Sequence, residues 1–203
     1  VGRNYTHIAE TYVYGEFERP INMHRGVQVT GLLSDEAHHD PARGFAGGVI
    51  MMPFGAGLPG YATALDPAGW GLPYSAALEG YDRTVGVSIT GADLPMAGNR
   101  VTLDAIERDR NGLGVPVLNI DDHPNEVAMM NYGRKRAVAI LQAAGALRTY
   151  ETPPHPASQN LGTCRMGTKA DDGVVDPWGR SHDVPNLFVS DGSQFASANL
   201  GNP

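Results

Sequence analysis

Thiol chemistry has one residue to work with in this sequence, because Cys164 is the single cysteine among 203 residues. That excludes an internal disulfide framework, and the absence of a CxxC pair or a Cys/His spacing removes the usual signals of structural zinc. Basic clusters are missing too: 15 Lys and Arg stand against 22 Asp and Glu, a net charge of -7. Phosphate-backbone recognition needs clustered cations, so no nucleic-acid partner is expected. No apolar run reaches the roughly 18 to 20 residues that cross a bilayer, and residues 1–18 have neither a basic start nor an apolar stretch of the secretory kind. The expectation is a soluble chain without a membrane span, with cytoplasm and periplasm both open. Internal repeats and low-complexity tracts are also lacking.

Glycine and proline are abundant, with 26 and 15 residues, and they punctuate short apolar runs. Strands are expected over residues 5–14, 27–33 and 47–52, where β-branched, aromatic and aliphatic residues stand between turn signals. Residues 53–73 lack regular periodicity and are read as an irregular loop, with a short helix beginning near Pro73. Further strands are expected over 84–90, 100–103 and 115–120, the last two joined by the turn at residues 110–114, which together read as an antiparallel meander. One helix is plain over residues 124–144. There Val127, Met130, Arg134, Val138 and Leu141 recur at spacings of three and four, broadened by Met129, Ala137, Ile140 and Ala144. Pro124 suits its first turn and Gly145 its C-terminal cap, and residues 147–151 return as a strand. The fold class that follows is α+β, an antiparallel sheet with covering helices and then a loop-rich tail.

The tail carries the candidate chemistry. Residues 186–190 (NLFVS) read as a buried strand that delivers Asp191, Gly192 and Ser193 to its C-terminal edge, where ligands gather in α/β sheets. A carboxylate at Asp191 can accept hydrogen bonds from ribityl or ribose hydroxyls, and Gly192 lets backbone approach closely; the bland alternative is that Asp191 caps the helix that follows. In Gly162-Thr163-Cys164-Arg165-Met166-Gly167, two glycines flank a cation. Arg165 can pair with an anionic cofactor or substrate, or form a structural salt bridge with Asp176, while Cys164 and Met166 read as packing. His38 and His39 are adjacent in extended backbone and so point to opposite faces; they read as part of a solvated loop, and no metal site is expected. His123 suits a helix start, His182 a polar turn, and His155 is a candidate base by its position just before the glycine-rich string.

Taken together, Gly162 to Gly167, Val174-Val175-Asp176, Gly179-Arg180, Leu187 to Asp191 and Asn202-Pro203 resemble, in order, the C-terminal signature of the glucose-methanol-choline (GMC) oxidoreductases, in particular their bacterial sugar and polyol dehydrogenase branch. Upstream, Gly2-Arg3-Asn4 and Asn99 to Asp104 are similar to that family's entry to the substrate domain and to a later strand. The resemblance implies a split fold, with residues 1–155 forming an antiparallel substrate-binding domain and residues 156–203 a C-terminal active-site segment of an FAD-binding α/β domain. It implies FAD as cofactor and hydride transfer from the CH–OH carbon of a sugar or other alcohol to flavin N5. It places Gln159, Asn202 and His155 as catalytic candidates, Asp191, Gly192, Asn202 and Pro203 along the cofactor, and Asn160 and Arg165 toward substrate. The expected partners are the sugar or alcohol, an N-terminal FAD-binding segment and an electron-acceptor subunit.

Two departures from that pattern shape the expectation. Gln159 stands where the family has its base histidine, and an amide cannot take a proton near neutral pH. In addition, no Gly-x-Gly-x-x-Gly turn opening a helix is expected within the chain, so the isolated chain is expected to be inactive and to hold FAD weakly. The alternative reading is a non-catalytic binding or assembly module that keeps the fold.

Overall fold

The computed structural model describes residues 1–66, 69–154 and 159–201, and its elements follow the order β1 (Thr6–Glu16), β2 (Val49–Phe54), α1 (Leu58–Leu65), α2 (Leu72–Glu79), β3 (Thr84–Ala92), β4 (Arg100–Arg108), β5 (Gly114–Asn119), α3 (Pro124–Ala143), β6 (Arg148–Glu151) and β7 (Asn160–Leu161). The class is α+β. One sheet runs β2-β3-β1-β6, with β7 pairing the start of β1, and β4 and β5 make a separate hairpin. Antiparallel registers are set by Met51 opposite Ile89, Val13 opposite Glu151 and Thr6 opposite Leu161.

The chain groups into two compact units, Val1–Ile8 with Ala92–Glu126 and Ala157–Pro203, and Ala9–Gly91 with Val127–Pro156. In the second unit the sheet is covered on both faces, as the period-2 alternation of β1 requires. Val13, Val49, Met51, Val87 and Ile89 pack against Met129, Met130, Ala137 and Leu141 of α3. The intervening side chains Tyr12 and Tyr14 pack with Tyr61 of α1, Tyr81 and Met23. Helix α3 can approach closely because Gly133 faces Ile89: a Cβ there would lie 2.5 Å from Ile89 Cγ2. Its end is closed by Gly145 at φ 96, with the Ala146 amide donating to the Leu141 carbonyl at 2.9 Å. The first unit has a smaller core of Ile8, Leu161 and Ala198, and backbone hydrogen bonds tie much of it together.

Several expectations need correction. Residues 53–73 contain α1: Gly57 and Pro59 open a two-turn helix too short to show periodicity, and buried Tyr61 anchors it. The string Gly55-Ala56-Gly57-Leu58-Pro59-Gly60 is thus a Gly-x-Gly-x-x-Gly turn between a strand and a helix, contrary to expectation. Its strand β2 pairs antiparallel with β3, so it does not build the parallel βαβ unit of a dinucleotide site. Residues 27–33 make single bridges, Val29 to Phe54 and Leu33 to Met51, and leave Val27 and Leu32 exposed. Strand β3 joins β2 in the main sheet, so no meander links it to β4. Val127 is solvent-facing because the buried stripe of α3 runs through 130, 133, 137 and 141. Residues 186–190 form no strand; Phe188 bridges Arg180, and Leu187 and Phe188 are exposed because the run turns back on residues 179–181, with Ser181 donating to the Leu187 carbonyl and Val189 to that of Gly179.

Candidate active site

Segments far apart in sequence meet in the first unit. The Gly2 amide donates to the Thr163 carbonyl at 2.7 Å, and the Gly2 carbonyl accepts from Val101 at 2.7 Å. Tyr5 donates its amide to Asn99 O at 2.9 Å, and the Asn99 side chain both donates to and accepts from the Asp121 backbone at 2.9 Å. Gly2 at φ 82 and Asn4 at φ 58 occupy the left-handed region, which glycine adopts freely and asparagine tolerates. The Gly-Arg-Asn string is therefore a turn that ties residues 99–101 to the glycine-rich segment.

That segment is laced to the rest of the tail. Cys164 donates to Ser193 O, Met166 to Gln194 O and Gly167 to Val175 O, each at 2.8 Å, while Val174 donates to Arg165 O at 2.9 Å. Asp176 Oδ1 accepts the amides of Trp178 at 2.8 Å and Arg180 at 3.0 Å, which shapes the turn at Gly179. The motifs that lie in series along the sequence are thus hydrogen-bonded to one another.

Gln159 is half-buried and directly precedes β7. Asn160 pairs with His7, and its Oδ1 accepts the Tyr5 hydroxyl at 2.6 Å. Gly192 lies against it, since a Cβ there would stand 2.9 Å from both Asn160 O and Leu161 Cδ2. Asp191 is exposed and caps the short turn 192–194: hydrogen bonds from Ser193, including its amide to Oδ1 at 2.8 Å, hold the carboxyl below its ordinary range. Arg165 makes no ion pair among the described residues, and Asp176 Oδ1 accepts backbone amides instead. His155, Asn202 and Pro203 lie outside the described residues. His38 and His39 are exposed, and His123 Nδ1 accepts the Asn125 amide at 3.0 Å at the start of α3.

Among the described residues, three buried carboxylate clusters escaped the sequence, because their members are scattered along it. Glu16 accepts from Arg148 Nε at 2.7 Å, Arg83 Nη2 at 2.8 Å and the Tyr150 hydroxyl at 3.0 Å, and Arg148 above all brings its pKa down to about 2. Glu36 is served by Arg43 at 2.7 Å, Tyr132 at 2.8 Å and Arg136 at 2.9 Å. The third cluster, in the first unit, lacks any Arg or Lys partner among the described residues. His7 Nε2 stands 3.4 Å from Glu126 Oε1, and His7 Nδ1 stands 3.9 Å from Asp93 Oδ2. Burial pushes His7 down, but the hydrogen bond and charge of Glu126, with the charges of Asp93 and Asp122, outweigh it and leave its pKa raised. Burial raises Asp93, whereas for Glu126 the His7 contact overcomes burial and lowers it.

The second unit holds a cavity of about 520 Å³ lined by Tyr12, Tyr14, Phe54, His24 and Gln28 together with the Gly55–Gly60 turn. The Tyr14 hydroxyl is buried without a hydrogen-bond partner among the described residues.

A family profile described as GMC oxidoreductase matches residues 95–203. A 2-methyl-1,2-propanediol dehydrogenase of Mycolicibacterium austroafricanum is 35% identical over 189 residues, which are 89% of this chain and 34% of that protein. A 6'''-hydroxyparomomycin C oxidase of Streptomyces lividus is 35% identical over 105 residues, 50% of this chain and 19% of that protein. The gluconate 2-dehydrogenase flavoprotein of Pantoea cypripedii is 27% identical over 194 residues, 88% of this chain and 31% of its own length. The chain therefore spans only about a third or less of the length of these relatives.

Proposed function

Because the chain belongs to the GMC oxidoreductase family, we propose that it supplies the substrate-binding sheet, residues 1–155, and an active-site segment, residues 156–203, of an FAD-dependent enzyme that oxidises a CH–OH group of a sugar or other alcohol. The observation that carries this reading is the lacing of the tail, which sets Gly192 against Asn160 and keeps Asp191 exposed beside it. The relatives support the substrate class, being named for a propanediol, a hydroxyparomomycin and gluconate. An N-terminal FAD-binding segment and an electron-acceptor partner belong to the same proposal.

The residues fit one side of a flavin site. Asp191 presents an exposed carboxylate whose Oδ1 already takes one amide, leaving acceptor capacity for ribityl-type hydroxyls, and Gly192 has no side chain to obstruct an approach. FAD, when bound, supplies the two-electron acceptor for the hydride leaving the carbinol carbon. The protein's own contribution is to orient that carbon and remove its hydroxyl proton. Gln159 can hold the substrate hydroxyl through its side-chain amide but cannot take the proton; Asn202 adds a second amide, and His155 is the group whose ordinary pKa suits a base. Asn160 and Arg165 are assigned to the substrate side, Pro203 with Asp191 and Gly192 to the cofactor side. A crystal of the complete protein soaked with FAD tests the assignment: contacts to Asp191, Gly192 or Asn202 support it, and a flavin touching none of them rejects it.

Gln159 itself favours a second reading, a non-catalytic binding module on the same fold. A complete protein that purifies yellow and whose flavin is reduced by alcohols or sugars belongs to the first reading; a colourless one that takes up no FAD belongs to the second.

A further inference from the structure

The cluster of His7, Asp93 and Glu126 is built from β1, the residue following β3 and the first turn of α3, so folding alone assembles it. One donor atom from each of the three lies within 4.8 Å of the other two. Asp93 and Glu126 are 1% and 8% exposed. In Asp93, Oδ2 is engaged, accepting the Thr6 hydroxyl at 2.8 Å, and in His7 and Glu126 the atoms Nε2 and Oε1 face each other at 3.4 Å. The other polar atom of each residue, His7 Nδ1, Asp93 Oδ1 and Glu126 Oε2, is buried with no hydrogen-bond partner among the described residues. Unpartnered buried polar atoms are uncommon, and here one imidazole and two carboxylates of a single cluster each keep one.

We propose that His7, Asp93 and Glu126 form a binding site for a divalent first-row transition-metal ion, of the zinc or manganese class. Metal binding displaces the protons of the cluster, and two carboxylates with a neutral imidazole then carry two negative charges, which one divalent cation balances. Metal–donor bonds of about 2.0–2.2 Å put neighbouring donors roughly 3–3.5 Å apart, and one donor atom from each of the three residues already lies within 4.8 Å of the others, so side-chain rotation can draw them onto an ion. The nitrogen donor and the small number of protein ligands favour these ions over calcium or magnesium, which prefer all-oxygen shells. Thr6 is the orienting partner: its hydroxyl fixes one oxygen of Asp93 and leaves the other for the ion. The site ties three segments of the first unit together, and no part of the proposed alcohol oxidation depends on it.

The test uses the complete protein, stripped with chelator and titrated separately with Zn²⁺, Mn²⁺ and Mg²⁺. The expected result is one equivalent of Zn²⁺ or Mn²⁺ by elemental analysis after desalting, with a raised melting temperature that Mg²⁺ does not reproduce. Asp93→Asn is expected to weaken binding by about 100-fold or more, and Thr6→Val by about 10-fold to 100-fold. A variant with His38→Gln and His39→Gln in the exposed loop is expected to bind as the parent does. Should Asp93→Asn fail to fold, the Mn²⁺ form of the parent protein still decides the matter, because pulsed electron paramagnetic resonance must show one coordinated imidazole nitrogen. Substoichiometric metal, binding unchanged in Asp93→Asn, or a Mn²⁺ ion without a nitrogen ligand overturns the proposal and leaves a shared proton as the occupant of the gap.

Discussion

Gly192 rests against the carbonyl oxygen of Asn160, so close that a Cβ at position 192 would stand 2.9 Å away. Strand β7 and the Asp191 turn therefore hold each other in place. Gly192→Ala is expected to destabilise the protein by about 1–3 kcal/mol through overpacking. It should also weaken FAD retention in the complete protein, while Gly26→Ala, at a position with open space around it, changes neither. Thermal melts with flavin absorbance after gel filtration check both effects.

Glu16 makes a pH-dependent contribution whose sign is fixed by its lowered pKa, about 2 against an ordinary 4.5. A carboxyl depressed on folding contributes stability that is fully present above pH 4.5 and is lost as pH falls toward 2. Arg83 and Arg148 are roughly half exposed, so solvent screening reduces the contribution to about 1–2 kcal/mol. Glu16→Gln is expected to lose that amount at pH 7 and to melt with a flatter dependence between pH 4.5 and 2. Parallel slopes for variant and parent would sink the account.

The helix α3 packs through Gly133 onto Ile89. Gly133→Ala gains helix propensity of about 1 kcal/mol but must push the two elements apart, and overpacking of a tight core costs about 1–3 kcal/mol. Net destabilisation is expected, and pairing it with Ile89→Val should recover part of the loss. Denaturant unfolding of the three variants measures this, and a stabilised single variant contradicts it.

Tyr14 keeps a hydroxyl in the interior of the second unit without a partner among the described residues. Tyr14→Phe removes that polar atom and should leave stability unchanged or raise it by up to about 1 kcal/mol. A drop of 2 kcal/mol or more in chemical denaturation would show that the hydroxyl is hydrogen-bonded.

These relationships show what the sequence could disclose. The long helix was legible because twenty residues carry a repeating stripe, and most strands because β-branched runs stand between glycines and prolines. The order β2-β3-β1-β6 was not, since pairing partners such as Val13 and Glu151 are separated by most of the chain. Helix α1 was hidden by its two-turn length, and the apolar run 186–190 was misleading because hydrophobicity alone does not supply a strand to pair with. For the candidate site, the glycine strings and Asp191 announced themselves as short motifs. His7, Asp93 and Glu126 could not, because only the fold brings such distant positions within reach.

The central claim, alcohol oxidation with position 159 at the reacting carbon, is tested most directly by stopped-flow reduction of the flavin in the complete protein, using a sugar and alcohol panel with Gln159 and with Gln159→His. General-base assistance is worth about 100-fold to 10,000-fold, or roughly 2.7–5.5 kcal/mol of barrier. The account predicts measurable reduction in the parent and an acceleration of about 100-fold or more in Gln159→His. Flavin left oxidised in both forms by every substrate would contradict it.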